Sequence, residues 1–320
     1  WSRIMARLPS YLDSDGLAKY FPAMRFGSDV LTAYVVAIAE EAGWEIPQAA
    51  MERMLSGLQG FVEGRVIRYS SLPTADLSIR KIAAAEALSR AGKLDPRLLS
   101  SITIEPNLWP TSAVIGWINI LQRVPSIRNR EDRIREAEQI LRSRLNFQGT
   151  TMGFSTERND YLWWLMVSVD TNAVRLILSQ LNSAGWKEDV PRLVRGALGR
   201  QRRGHWDTTI ANAWGVLAME KFSRAFENVP VSGTTTASLA GKSQAIDWSA
   251  TPKGRSLAFG WPPQKSVLSV AMSGTGRPWA TVQSLAAIPL REPLSTGFRI
   301  KKSYAPIEQR ERGAWSKGDI

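Results

Sequence analysis

The sequence contains no cysteine and only one histidine among its 320 residues. Without thiols the chain can form no disulfide, no thiolate metal site and no cysteine nucleophile. His205 alone leaves almost no material for a zinc site or a Ser-His-Asp triad. We therefore predict no metal, no cofactor and no catalytic residue, and we interpret His205 as a structural histidine or a turn residue.

Long apolar runs are also missing. Although 44% of the residues are hydrophobic, no stretch approaches the length of a membrane span. No secretory signal opens the sequence, and Trp1 is not a start residue, so we expect an excised piece of a longer protein. The length is sufficient for a substantial core, and two domains are a fair expectation.

The net charge of +12 raises the question of a nucleic-acid partner, because basic surfaces gain affinity from phosphate counterion release. However, most basic residues are interleaved with acidic ones, as in the helical stretch 128–142, which is typical of a solvated surface. The densest basic cluster consists of Arg195, Arg200, Arg202 and Arg203. We favour a solvated surface and expect no nucleic-acid partner.

The stretch 27–43, GSDVLTAYVVAIAEEAG, carries the clearest helix signal in the chain. Ser28 or Asp29 can cap the free amides at the helix start, and Gly43 can end the helix in the left-handed conformation. Apolar residues recur at three- and four-residue steps, which predicts one buried face: Val30, Leu31, Tyr34, Val35 and Ile38. Glu41, near the helix end, is expected to stay in water.

This apolar helix pattern is repeated along the chain. Similar helices are predicted to start near residues 28, 76, 111, 160 and 207, each after a polar capping residue. More charged helices are predicted to start near residues 47, 95, 131, 171 and 191. A period of roughly 35–50 residues marks stacked or circular helical hairpins. Apolar inner helices with polar outer partners predict an alpha/alpha toroid. Five pairs are visible where a familiar toroid has six, so the remaining pair is expected upstream of Trp1.

The character of the sequence changes after Phe226. Alternating segments at 266–272 and 279–285 flank a Gly-Thr-Gly turn at 274–276, which predicts a hairpin, and 298–303 predicts a last strand. We therefore predict a mainly α chain in which a toroid is followed by a smaller antiparallel β-sandwich segment.

Three segments resemble a known family. They are Leu17-Ala18-Lys19-Tyr20-Phe21-Pro22, the residues 27–35 with their Leu-Thr-Ala-Tyr core, and Gly204-His205-Trp206-Asp207-Thr208-Thr209 with the Ala-Asn-Ala-Trp that follows. Together they resemble the thioester-domain region of the bacterial alpha-2-macroglobulins. The residues of this chain that match the family motifs, all expected to be structural, are Gly27, Ser28, Asp29, Leu31, Thr32, Ala33, Tyr34, Gly204, Trp206, Thr208, Thr209 and Trp214.

The resemblance implies a domain order. Residues 1–227 would form the toroid without its first part, 228–292 the returning half of a CUB-like β domain, and 293–320 the start of a macroglobulin-like domain. A half-domain sheet leaves an unpaired edge. The implied function is a fragment of a protease-trapping inhibitor in the bacterial periplasm or cell envelope, its parent anchored to a membrane. The implied partners are target proteases and the neighbouring macroglobulin-like domains of the parent.

The chain departs from the family pattern in one respect. The family's hallmark is Cys-x-Glu-Gln, whose Cys and Gln side chains form an internal thioester, and a chain without cysteine cannot contain it. Either the motif lies upstream of Trp1, or the parent belongs to a branch without one. In both cases this chain is scaffold and carries no reactive bond.

Two other functions are compatible with a helical toroid. A terpene cyclase or prenyltransferase would need an Asp-rich cluster or zinc ligands, whereas Asp13 and Asp15 lie in a predicted turn and no Asp-x-Asp-Asp occurs. An aromatic cavity could still be lined by Trp109, Trp117, Trp163, Trp164 and Trp214. The other alternative is a passive basic interaction scaffold.

Overall fold

Nine α-helices and five short strands form the regular structure of the described chain. A computed structural model describes residues 2–72, 76–102, 105–155, 162–287, 289 and 301–320. The helices are α1 (Ser2–Arg7), α2 (Asp29–Ala42), α3 (Gln48–Glu63), α4 (Leu77–Arg90), α5 (Thr111–Arg123), α6 (Arg130–Ser143), α7 (Val169–Gln180), α8 (Val190–Gly199) and α9 (Thr209–Phe226). The strands are β1 (Leu145–Gln148), β2 (Thr151–Phe154), β3 (Ser232–Leu239), β4 (Lys242–Asp247) and β5 (Leu268–Thr275).

The chain divides into two compact units, Trp1–Arg277 and Pro278–Ile320. The first contains all the named helices and strands. In the second, backbone hydrogen bonds join Glu308 to Ile320, and its described residues contain no helix or strand. The prediction of a mainly α chain with a smaller antiparallel β part is confirmed. The domain boundaries at 227 and 292 stay predictions.

Helix α2 forms where the sequence predicts it. The Ser28 hydroxyl accepts a hydrogen bond from Leu31 N at 3.2 Å, and Gly43 ends the helix at φ 67°. The predicted buried face is partly wrong. Leu31, Val35 and Ile38 are only half-buried, while smaller residues are buried: Thr32, Ala33, Val36, Ala37 and Ala39, together with Val30 and Tyr34. Small side chains let neighbouring helices approach closely, which accounts for the burial of Thr32 and the alanines.

Five helices contact one another in a closed cycle. α2 packs against α4, α4 against α5, α5 against α7, α7 against α9, and α9 against α2. These ring helices are flanked by α3 on α2 and α4, by α6 on α5, and by α8 on α7. One continuous hydrophobic core fills the space between them.

The ring helices run in the same direction, which gives the ring two distinct ends. At the amino end, Asp29 of α2 contacts Arg80 in the first turn of α4. At the carboxyl end, Glu41 in the last turn of α2 contacts Arg90 at the end of α4. The Gln122 amide of α5 likewise donates to Ser179 O of α7, 3.3 Å away.

The helix predicted to start near residue 160 is not found where it was placed. Residues 156–161 lie outside the described chain, and Trp163–Leu165 forms a single 3-10 turn. Met166 then adopts the left-handed conformation at φ 57°, which stops a helix. Ser168 caps α7 by accepting a hydrogen bond from Thr171 N at 3.1 Å. The fourth ring helix is therefore α7, which the sequence predicted only as a flanking helix.

The three-stranded antiparallel sheet of the first unit has the order β4-β3-β5. The predicted hairpin at 274–276 is wrong, because β5 pairs with β3, and the described residues after it contain no partner strand. Gly274 lies inside β5, where a Cβ would stand 2.0 Å from Ser232 O, so this position requires glycine. Half of the predicted strand at 298–303 lies outside the described residues, and 301–303 carry no strand. The β1–β2 hairpin was not predicted.

Replacement of Trp214 by alanine tests the packing of the ring. Its side chain on α9 is 1% exposed, so we expect the Trp214→Ala variant to lose about 3–5 kcal/mol of unfolding free energy through the cavity created. Val216 on the same helix is 63% exposed, and Val216→Ala should change stability by less than about 0.5 kcal/mol. Urea unfolding measures both. Equal midpoints for the two variants would show that α9 does not pack as described.

Candidate functional site

The Gly27 end of the family motif is fixed by a buried carboxylate. Asp13 accepts hydrogen bonds from Gly27 N at 2.7 Å, from Leu17 N at 2.9 Å and from Arg68 at 2.6 Å. Although burial alone would raise the pKa of Asp13, these three hydrogen bonds lower it below its usual value. Gly27 is required sterically, because a Cβ there would stand 2.2 Å from Leu17 O.

Asp29 joins α2 to α4 through a buried ion pair. The Arg80 guanidinium binds both carboxylate oxygens of Asp29, at 2.9 Å from Nε and 2.7 Å from Nη2. It also lies 4.9 Å from the centroid of the Phe61 ring. Such two-pronged pairs are directional, so this contact fixes the rotation of α2 relative to α4.

The Leu-Thr-Ala-Tyr residues hold the loops that lead into the ring. Thr32 Oγ1 donates to Ser28 O at 2.6 Å and accepts from Ala18 N at 2.8 Å, which attaches the extended segment before α2. The Tyr34 hydroxyl donates to Met166 O at 3.4 Å, and burial raises the pKa of Tyr34. Ala33 is buried and Leu31 half-buried.

The Gly-His-Trp segment makes the turn from α8 into α9. Gly204 lies at φ 82°, and Arg202 N donates to His205 O at 2.9 Å across the turn. His205 is exposed, with Nδ1 2.9 Å from Trp206 O. This position agrees with the interpretation of His205 as a turn residue.

The remaining motif residues anchor the start of α9. Trp206 Nε1 donates to Ala197 O at 2.8 Å, and its ring lies so close to Gly215 that a Cβ there would stand 2.2 Å from it. Thr208 accepts from Ala211 N at 3.1 Å and caps the helix, whereas Thr209 is its exposed first residue.

The carboxyl end of the ring contains a buried charge cluster that sequence reasoning missed. Each ring helix supplies at least one member of this carboxyl-end cluster: Glu41, Glu86, Arg90, Asn119, Arg123, Arg175, Trp214 and Lys221. Glu41 had been expected to stay in water, yet its side chain is only 11% exposed. The available signal was a charged residue inside an otherwise apolar helix, as in the Ile-Ala-Ala-Ala-Glu-Ala-Leu of 82–88.

Two carboxylates organise the cluster. Glu86 accepts from Arg90 at 3.0 and 3.1 Å, from Asn119 at 2.9 Å, and from Arg175. Although burial opposes ionisation of Glu86, the nearby arginines, led by Arg175 and Arg90, lower its pKa to about 2. Glu86 is therefore a permanent anion at physiological pH.

Glu41 plays the same part between α2 and α9. It is paired with both Arg90 and Lys221, and Arg123 lies 3.9 Å away. Burial would raise the pKa of Glu41, but Arg90 and Lys221 lower it below its usual value. Lys221 is the only cluster cation on α9 among the described residues, so this pair closes the cycle of ring helices.

The cluster holds two acids against four cations. Two of those cations, Arg90 and Arg123, occupy the last positions of α4 and α5. A helix C-terminus carries about half a negative charge, so the helix ends offset the excess of positive charge. Burial, and then repulsion by Arg90, lower the pKa of Arg123. The ends of α4 and α5 thus account for the excess of cations over acids in the cluster.

The cavity that the described residues form inside the ring is small. It measures about 20 Å³ and is lined by residues such as Tyr34, Glu86, Ser112 and Arg175, whereas ligand pockets span roughly 300–1,000 Å³. None of the five tryptophans proposed for an aromatic cavity lines it. Trp109 and Trp117 pack edge-to-face at 5.8 Å in the core, and Trp163 is exposed.

The acidic turn and part of the predicted basic cluster are engaged in contacts within the described chain. Asp13 and Asp15 are both paired with Arg68, and no group of three or more potential ligands could hold a metal ion in the described chain. In the predicted basic cluster, Arg200 is paired with Asp170, and Arg195 donates to Thr150 O at 2.8 Å.

The amino end of the ring exposes large apolar side chains in the loops that enter the ring helices. This amino-end surface consists of Phe21, Phe26, Ile67, Tyr69, Leu108 and Trp163. Ile67 and Tyr69 are 83% and 91% exposed. Clustered exposed apolar residues mark interaction sites.

Among the described helices, none has the length and apolar character needed to cross a membrane.

Comparison with known proteins gives a structural match and no match by sequence. No family model matches the chain. No curated protein matches it either.

The structural matches are to bacterial alpha-2-macroglobulins. Trypsin-activated alpha-2-macroglobulin from Escherichia coli aligns with a TM-score of 0.53 and 17% identity over 83% of this chain and 16% of that chain. Salmonella alpha-2-macroglobulin reacted with methylamine aligns with a TM-score of 0.51 and 19% identity over 76% of this chain and 15% of that chain. A native alpha-2-macroglobulin structure from E. coli, spanning domain MG7 to the C-terminus, aligns with a TM-score of 0.52 and 16% identity. The alignment covers 76% of this chain and 36% of that chain.

These matches confirm at the level of fold the resemblance predicted from the three motif segments. This chain shares the fold of a limited region of those larger proteins, since it covers between 15% and 36% of their length. Because one match spans only domain MG7 to the C-terminus, the corresponding region lies within that part.

The ionised Glu86 predicts a specific acid sensitivity. Because its pKa is depressed to about 2 in the folded chain, its stabilisation is complete above the ordinary value near 4.5 and is lost as the pH falls from 4.5 towards 2. The shift corresponds to about 3 kcal/mol. The stability difference between wild type and the Glu86→Gln variant should therefore narrow by that amount between about pH 5 and about pH 2.

Urea unfolding at a series of pH values measures this difference. Glu136 on α6 is exposed and has no partner among the described residues, so Glu136→Gln should follow the wild type at every pH. A difference between wild type and Glu86→Gln that stays constant with pH would show that Glu86 is not the ionised centre of the cluster.

Proposed function

We propose that this chain is a scaffold region of a bacterial protease inhibitor of the alpha-2-macroglobulin type, and that it carries no reactive bond. The observation that carries the proposal is the structural match over 76–83% of the chain, to the same family that the Leu-Thr-Ala-Tyr helix resembles. The trypsin-activated state of one matched protein supports target proteases as partners of the full-length parent.

We interpret the ring as an alpha/alpha toroid that occupies residues 1–227. The closed cycle of ring helices and the flanking α3, α6 and α8 support this interpretation. A sixth inner helix would belong to the upstream part of the parent.

The sheet and the last residues are assigned by the same resemblance. Residues 228–292 would be the returning half of a CUB-like domain, and 293–320 the start of a macroglobulin-like domain. Within the described residues, β5 has β3 as its only neighbour, which supports an incomplete sheet. An upstream segment of the parent would complete it.

The amino-end surface gives the scaffold its role. In the family, the thioester segment lies shortly before the Leu-Thr-Ala-Tyr helix, so the amino end of α2 would lie nearest to it. The exposed Ile67 and Tyr69 would pack against a neighbouring macroglobulin-like domain and keep water and small nucleophiles from the reactive bond. We place the parent, anchored to a membrane, in the periplasm or cell envelope.

The alternatives are less well supported. A toroid enzyme such as a terpene cyclase needs a substrate cavity, and the ring interior of about 20 Å³ is too small for one. A passive basic scaffold is supported only by the net charge of +12, and arginines such as Arg68, Arg80 and Arg90 are engaged in buried ion pairs.

The isolated chain should neither inhibit proteases nor form covalent adducts with them, because it contains no cysteine for a thioester. Incubation with trypsin or elastase, followed by denaturing gels and a small-substrate assay, tests this. The full-length parent, if it carries the upstream motif, should form adducts that disappear after methylamine treatment. Stoichiometric inhibition by these 320 residues alone would contradict the proposal that this chain is scaffold and carries no reactive bond.

Shielding by the amino-end surface predicts that changes in this surface alter the rate of thioester cleavage in a full-length parent that carries the motif. Ile67→Asp and Tyr69→Asp should weaken the packing of the amino-end surface and increase the rate of thioester cleavage by methylamine several-fold. Val216, exposed on α9, provides the matched control, and Val216→Asp should leave the rate unchanged. Free-thiol release with time measures the rate. Equal rates in all variants would argue against shielding by this surface.

A further inference from the structure

A groove lies at the carboxyl end of the ring, away from the amino-end surface. It runs between the chain that follows α7, the end of α9 and the end of β5. Its volume is about 480 Å³, within the range of roughly 300–1,000 Å³ that ligand pockets span. It is the larger of the two cavities described and shares no lining residue with the carboxyl-end cluster, while its lining residues Leu181 and Phe226 pack against the core.

The polar side chains of this carboxyl-end groove are free to bind a ligand. Those that line it are Asn182, Ser183, Lys187, Asn228 and Arg277. Within the described chain, none of these side chains has a hydrogen-bond or ion-pair partner. No acidic side chain lines the groove among the described residues. Because Lys187 and Arg277 line the groove and the neighbouring exposed Glu188 and Glu227 do not, the wall of the groove is positive.

The other groove surfaces suit a peptide backbone and apolar side chains. Leu181, Phe226 and Val229 provide apolar contacts, and the Phe226 ring is fixed by stacking on Phe222 at 4.9 Å. Ala225 and Phe226 are the last two residues of α9. The last carbonyl groups of a helix have no intrahelical partner and accept hydrogen bonds from outside. The groove thus offers acceptors for amide N–H groups as well as donors for carboxylates.

We propose that the carboxyl-end groove binds an extended acidic peptide segment. Lys187 and Arg277 pair with its carboxylates, the α9 carbonyl groups accept from its backbone amides, and Phe226 contacts an apolar side chain between the acidic ones. An inorganic anion would use the two cations and leave the apolar wall and the carbonyl groups without partners. The proposal is independent of the protease-inhibitor function, because no residue of the amino-end surface takes part.

Binding of a fluorescein-labelled peptide, acetyl-Glu-Leu-Glu-Phe-Glu-amide, to the full chain tests this proposal by fluorescence anisotropy. We expect saturable binding that weakens as NaCl rises from about 50 to about 300 mM, because exposed charges are screened. The Lys187→Glu/Arg277→Glu double variant should bind about tenfold or more weakly. A matched double variant, Lys93→Glu/Lys242→Glu, makes the same change in net charge at exposed lysines outside the groove and should bind like the wild type.

Two further measurements separate peptide recognition from general attraction to anions. The same peptide with Gln at every Glu position should bind about tenfold or more weakly, and inorganic phosphate at millimolar concentration should not displace the acidic peptide. Circular dichroism melts check that both double variants are folded. No saturable binding by the wild type, equal weakening in the two double variants, equal affinity for the Gln peptide, or displacement by phosphate would each overturn the proposal.

Discussion

The ring depends on one buried carboxylate, Glu86 of α4. It accepts hydrogen bonds from Arg90 on its own helix, Asn119 on α5 and Arg175 on α7, and Glu41 extends the same network to α2 and α9. Burying such charges costs desolvation energy that is recovered only when every partner is in place. The cluster therefore favours the one arrangement in which all five ring helices meet, and partial assemblies leave unpaired charges.

At each end of the ring, charged side chains are opposite in sign to the partial charge of the helix ends. Acidic residues lie at helix starts, where Asp29 meets Arg80 and Asp170 meets Arg200, and arginines lie at helix ends. Both choices complement the helix macrodipole. Ion pairs between the ring helices hold these helices together. The loops at the amino end therefore need not supply side chains to the core and can expose apolar residues. That separation lets one end serve as a surface for another domain.

Sequence patterns predicted most of the helices and the caps of α2 and α9, where Ser28 and Thr208 accept from the backbone. They failed where local and tertiary preferences differ. The spacing of apolar residues 162–166 predicted a helix, but Met166 turns left-handed and Ser168 caps the next one. The β1–β2 hairpin was missed because it packs against α8, and a four-residue strand has no pattern of its own.

The sequence by itself determined what chemistry is impossible, since a chain with no cysteine and one histidine has few reactive groups. It also determined where helices begin and which family motifs it carries, because capping and periodicity are local properties. Only the tertiary structure decided that Glu86 is buried and Glu41 half-buried, because their partners Arg175 and Lys221 lie 89 and 180 residues away. The same holds for the carboxyl-end groove. Its cations come from the chain after α7 and after β5, and only folding brings those distant segments to one surface.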